Sequence, residues 1–104
     1  MGTDRRFRNS IGPQLRRLRV ERELTQDALA GKLQRAGLDM DRAAVAKIEI
    51  QNRSVFDFEL RMIARVLSVD MRDLFPTDAK LDSDLPALMK GMNSSKRRNS
   101  EGSS

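Results

Sequence analysis

The 104-residue sequence has no cysteine, no histidine, no tryptophan and no tyrosine. Without cysteine there are neither disulfides nor thiolate metal sites. Without histidine as well, imidazole general-base chemistry, thiol nucleophiles and zinc coordination lose their usual side chains. An enzyme is therefore not expected: only carboxylate chemistry remains open, and the chain shows no paired acids in a plausible cleft and no glycine-rich phosphate loop. Four phenylalanines are the only aromatics, too few for the stacking platforms that hold single-stranded nucleic acid. No apolar run approaches the roughly 20 residues that span a bilayer. Arg5, Arg6 and Arg8 are followed by no apolar stretch of the kind a secretion signal requires. The expectation is a cytoplasmic protein without metal, cofactor or membrane.

What is present in excess is positive charge, +5 in all, and most of it sits at the two ends. Residues 1–10 carry three arginines against Asp4, and residues 96–104 carry Lys96, Arg97 and Arg98 against Glu101. The stretch between them is nearly neutral, with 14 basic and 13 acidic residues. Basic ends of this kind either lie along nucleic-acid phosphates or keep the chain soluble. Residues 1–10 are polar and aperiodic and read as a flexible basic arm.

From there the apolar residues follow helical spacing. Ile11, Leu15 and Leu18 share one face of a first helix, which Asn9 or Ser10 caps and whose first turn tolerates Pro13. Thr25 caps a second helix with Leu29, Ala30 and Leu33 inside and Asp27 in its first turn, and Gly37 ends it. Asp41 caps a third, with Val45 and Ile48 inside and Arg42, Ala43, Ala46 and Lys47 on the opposite side, ending around residues 50–52. Asp57 caps a fourth that buries Leu60, Ile63, Ala64 and Leu67. Asp70 caps a short fifth carrying Met71, Leu74 and Phe75, which Pro76 stops. Five helices in about 65 residues make an all-α, compact domain over 11–76. In the tail, 77–104, a short helix over 84–92 with Leu85, Leu88 and Met89 or Met92 on one side is expected, followed by disorder in the Ser-rich end.

The ordered set Leu24-Thr25-Gln26, Leu29-Ala30, Ile48-Glu49, Leu60 with Ile63-Ala64, Leu67 with Val69, and Leu74-Phe75 resembles the Cro/C1-type (XRE-like) helix-turn-helix family. The likeness covers residues 11–76. It implies a five-helix lambda-repressor-like DNA-binding domain and a transcriptional regulator. Two departures stand out. The stretch between Leu33 and Asp41 is longer than the tight turn of the simplest members, so that helix 2 is expected to gain a turn and Leu38 and Met40 to be buried. The glycine that usually follows the Ile-Glu pair is missing, and Asn52 is the best remaining residue for a left-handed conformation.

The resemblance assigns roles to particular residues. The third helix becomes a recognition helix in a major groove about 12 Å wide. There Arg42 and Lys47 reach base edges or phosphates, while Ala43 and Ala46 allow close approach and touch thymine methyls. Gln26, after the cap of helix 2, meets the DNA backbone. Asn52 and Arg53 sit where phosphates are contacted. Arg19 and Glu49 form a salt bridge that fixes the recognition helix. The bland alternative for each is an ordinary solvated side chain. The leading function is sequence-specific binding of double-stranded DNA as a homodimer, most simply as a repressor, with the dimer contact from helix 5 or from Leu85–Met92. The alternative is a protein-interaction module or antitoxin-like adaptor with the same fold, which the near-neutral domain favours. After Phe75 only about 29 residues remain, too few for a ligand-sensing domain.

Overall fold

A computed structural model of the chain describes residues 4–103, with side chains described through Met92. Met1–Thr3 and Ser104, the extremities of the expected arm and tail, lie outside the described residues. Helix α1 (Gly12–Glu21) begins where the Asn9 carboxamide oxygen accepts the Ile11 and Gly12 amides, at 3.0 and 2.9 Å. Helix α2 (Gln26–Arg35) starts at Thr25, whose hydroxyl accepts the Ala28 amide. Helix α3 (Arg42–Glu49) starts at Asp41, whose carboxylate accepts the Ala44 amide. Each cap satisfies a backbone donor that has no partner within its own helix.

Helix α4 (Asp57–Leu67) departs from the expected cap: Phe56 holds the cap position, and Glu59 reaches back to accept its amide at 3.0 Å. Asp57 is the first helical residue, where a carboxylate still suits the positive end of the helix. The short element after it is a 3-10 helix, Met71–Leu74, capped by the Asp70 side chain.

The apolar stripes of these elements converge on one core. Leu15, Leu29, Leu33, Val45, Ile48 and Ile63 are fully buried within it. Leu38 and Met40, the residues the longer α2–α3 link had to accommodate, pack into the same core, Met40 completely. Helix α2 does not gain a turn beyond Arg35. It closes at Gly37 (φ 102°) in a Schellman arrangement, Leu38 N–H to Leu33 carbonyl and Gly37 N–H to Gln34 carbonyl. No strand occurs among the described residues.

The two ends differ from expectation. Residues 7–10 are not a free arm: the Phe7 amide donates to the Ala87 carbonyl, the Arg8 amide to the Gln51 carbonyl, and Asn9 is buried. At the other end, helix α5 (Asp78–Ser103) starts six residues before the expected 84 and continues through the segment expected to be disordered. Its start is set by Thr77, whose hydroxyl accepts the Lys80 amide. Helix α5 turns Asp84, Ala87 and Gly91 inward. Gly91 is required there, because a Cβ would collide with the Phe7 carbonyl.

Candidate nucleic-acid interface

Helix α3 has two unlike faces. Val45, Ile48 and Glu49 are buried, whereas Arg42, Ala43 and Lys47 are exposed and Ala46 is half-buried. The helix stands as a ridge between two open clefts. One, toward α2, is lined in part by Gln26, Gly31, Gln34, Arg42 and Ala46. The other is lined in part by Arg8, Lys47, Asn52, Arg53 and Ser54. Because Leu38 and Met40 point into the core, the longer α2–α3 link leaves the outer face of α3 uncovered.

A buried ion pair seats this helix. Glu49 receives Arg19 on both oxygens, Nε at 2.6 Å and Nη2 at 3.0 Å, and Arg19 also donates to the Leu24 carbonyl at 2.7 Å. The two side chains are only 10% and 2% exposed. Hydrogen bonding to Glu49 raises the Arg19 guanidinium above its ordinary pKa, against the opposing effect of burial. Such a bidentate pair is directional as well as strong. Close contact with α1 adds to it: a Cβ at Gly12 would collide with the Ile48 carbonyl, so α1 and the end of α3 touch backbone to backbone.

Gln26 belongs to the same network. Its amide nitrogen donates to Glu49 Oε1 at 3.0 Å, so the residue expected against a DNA backbone is also the third member of the Arg19–Glu49 cluster. Arg53 is likewise engaged within the protein. It grips both oxygens of Glu59 at 3.1 Å and donates to the Ser54 carbonyl. Burial alone would push the Glu59 carboxyl up; the hydrogen bonds and charge of Arg53, with the Phe56 amide, hold it below the ordinary carboxylate range. Asn52 is exposed at the rim. Its expected left-handed backbone falls instead on Gln51 (φ 63°), one residue earlier. Gln51 takes that conformation because its side chain donates to the Asn9 carbonyl and its own carbonyl accepts the Arg8 amide.

The residue order marks Asn9 only as a helix cap. The structure makes it a junction, its amide nitrogen donating to the Ile48 carbonyl at 3.0 Å and the Arg53 carbonyl at 2.9 Å. No local spacing signals those bonds, which cross 39 and 44 residues of chain.

A third helix presented outward, packed against the first and the second and locked to the first by a buried Arg–Glu pair, with two further elements closing the core, defines a helix-turn-helix DNA-binding transcription regulator. The chain belongs to the Cro/C1-type (XRE-like) family of these proteins. Its fold is similar to the crystal structure of the restriction-modification controller protein C.AhdI from Aeromonas hydrophila, with 34% sequence identity and a TM-score of 0.55. That likeness covers 62% of this chain and 87% of the controller. No protein-family model matches the chain, and no curated protein matches it.

Proposed function

We propose that the chain binds double-stranded DNA sequence-specifically as a homodimer and represses transcription, with residues 11–76 as the DNA-binding domain. The observation that carries this reading is the exposure of Arg42, Ala43 and Lys47 on a helix whose other face is buried and ion-paired. Arg42 is the residue for guanine, whose O6 and N7 a guanidinium grips in bidentate fashion. Ala43 and Ala46 keep the surface low enough for the groove. Lys47, Asn52 and Arg53 serve the phosphates on one flank and Gln26 on the other. Arg19 and Glu49 touch no DNA and set the angle of α3. The likeness to C.AhdI supports control of a restriction-modification system as the setting.

The homodimer is supported by the outer side of α5. Leu81, Leu85, Met89 and Met92 recur at helical spacing there and are 36–58% exposed, an apolar strip that a second copy would cover. A dimer reads two half-sites about one helical turn apart, 34–36 Å.

Selecting bound duplexes from a random pool tests the reading directly. The expected result is a two-fold-symmetric site bound at roughly 10⁻⁸–10⁻¹¹ M and weakened steeply by salt. Recovery of unenriched sequence, or no binding to random duplex even at low salt, would overturn it in favour of a protein-interaction module.

A further inference from the structure

We propose that Arg8 is a phosphate-binding residue, carried to the end of the recognition helix by a strap, residues 7–9, that α5 holds in place. The proposal rests on the DNA-binding reading above and adds to it a residue and a control point.

The strap is pinned at every step. The Phe7 amide donates to the Ala87 carbonyl of α5 at 3.0 Å, and the Arg8 amide to the Gln51 carbonyl at 2.8 Å. The Asn9 side chain makes four hydrogen bonds: donations to the Ile48 and Arg53 carbonyls, and acceptance from the Ile11 and Gly12 amides. Those four fill the carboxamide's capacity. Its own carbonyl accepts Gln51 Nε2 at 3.1 Å. Three consecutive residues thus tie the start of α1, the end of α3 and the middle of α5 together.

The consequence is the placement of Arg8. It lines the cleft beside α3 together with Lys47, Asn52, Arg53 and Ser54. Three cations, an amide and a hydroxyl around one open cleft are the donor set of a backbone phosphate, and they carry no base information. Asp41, on the same cleft, is committed to capping the Ala44 amide, and Glu59 answers part of the charge of Arg53. Arg8 and Lys47 bring two more positive charges to the same cleft. Arg5 and Arg6, which the sequence places in the same basic segment, lie outside this cleft's lining.

Helix α5 decides where the strap runs. Gly91 lets the Phe7 carbonyl pass against the helix, and any Cβ there meets backbone rather than a movable side chain. A displaced α5 would release Phe7 and leave Arg8 held from the α3 side, by the Gln51 carbonyl and the bonds of Asn9. The C-terminal helix thereby supplies one of the strap's ties and bears on DNA affinity in part, without touching DNA.

The experiment measures affinity against salt on the selected operator and on random duplex for the full chain and the variants Arg8→Ala, Arg8→Lys, Gly91→Ala and Phe7→Pro. Arg8→Ala is expected to lose roughly tenfold at about 0.1 M salt on both duplexes and to lower the slope of log K against log salt by about one. Arg8→Lys restores the slope. Gly91→Ala moves affinity and slope the same way as Arg8→Ala, by less, while the Arg8 amide gains hydrogen exchange. Should Gly91→Ala fail to fold, Phe7→Pro removes the donor to Ala87 without altering α5 and gives the same readout. An unchanged slope in Arg8→Ala, or a loss confined to the operator, overturns the phosphate role. Free exchange at Arg8 in either strap variant with an unchanged slope overturns the control by α5. Arg42→Ala on the same duplexes keeps the two readings apart. Retained discrimination there sinks the base-reading assignment, whereas lost discrimination with an unchanged Arg8→Ala slope sinks only the phosphate role of Arg8.

Discussion

The two faces of α3 share eight residues and have opposite requirements. The inner face is closed, with Val45 and Ile48 fully buried and Glu49 pinned by Arg19. The outer face is open, with Arg42, Ala43 and Lys47 exposed and Ala46 half-buried. A helix this short is marginal by itself, since isolated helices below about 12–15 residues barely hold in water. The position of every outer residue is therefore inherited from the inner ones. Substitutions inside should thus change stability and binding together, while substitutions outside should change binding alone.

Glu49→Ala puts the inner face to the test. It leaves the Arg19 guanidinium buried with only the Leu24 carbonyl among its present partners, and it frees Gln26. Removing one member of a buried pair costs about 3–5 kcal/mol. Urea unfolding should show that loss, and operator affinity should fall with it. A midpoint within error of the parent would mean that the pair does not hold α3, and the inner face would reduce to its aliphatic contacts.

Arg42→Ala probes the other side. An exposed surface change of this kind should alter stability by less than about 0.5 kcal/mol. Discrimination between operator and random duplex should drop by about 1–3 kcal/mol, the worth of one bidentate base contact. Competition binding against both duplexes measures it. Equal losses on the two would reassign Arg42 to phosphate.

What could be read from the sequence follows a physical division. Thr25, Asp41 and Asp70 bond amides two or three residues away, and such local caps are written in the residue order. The apolar stripes and Gly37 are local as well. Arg19 and Glu49, 30 residues apart, came only through resemblance to the family. The contacts of Asn9, the bidentate grip of Arg53 on Glu59 and the left-handed Gln51 were not visible. Intrinsic preference favours asparagine for that conformation, and Asn52 is adjacent, yet the tie to Asn9 places it one residue earlier. The start of α5 is hard to read for a simpler reason: Thr77 caps it through the Lys80 amide, but Ser83 and Pro86 further on look like a stronger beginning.

Glu59 extends the inner scaffold beyond the end of α3, and its effect is set by pH. Its pKa is lowered in the folded chain by Arg53 and the Phe56 amide, acting against burial. A lowered carboxyl contributes stability above the ordinary glutamate value of about 4.3 and loses it as pH falls through the folded value. Thermal unfolding should therefore weaken toward acid in the parent and weaken less in Glu59→Gln. Parallel curves from pH 6 to 3 would show that Arg53 stays available to DNA and is not held by Glu59.

The smallest effect separates the end of α3 from that of α4. Both helices close on a non-glycine residue in the left-handed region, Gln51 at φ 63° and Ser68 at φ 58°. Ser68 is exposed, and no side-chain bond compensates its backbone. Glycine relieves about 1 kcal/mol of such strain, offset in part by the freedom it adds to the unfolded chain. Ser68→Gly should then gain roughly 0.5 kcal/mol, a rise of about 2–4 °C in Tm for a domain of this size. Gln51→Gly relieves the same strain but strips the Asn9 carbonyl of its side-chain donor, and an unsatisfied buried acceptor costs about 1–3 kcal/mol. The two substitutions should thus move Tm in opposite directions. If both raise it equally, the bond from Gln51 to Asn9 holds nothing, and α3 ends as loosely as α4.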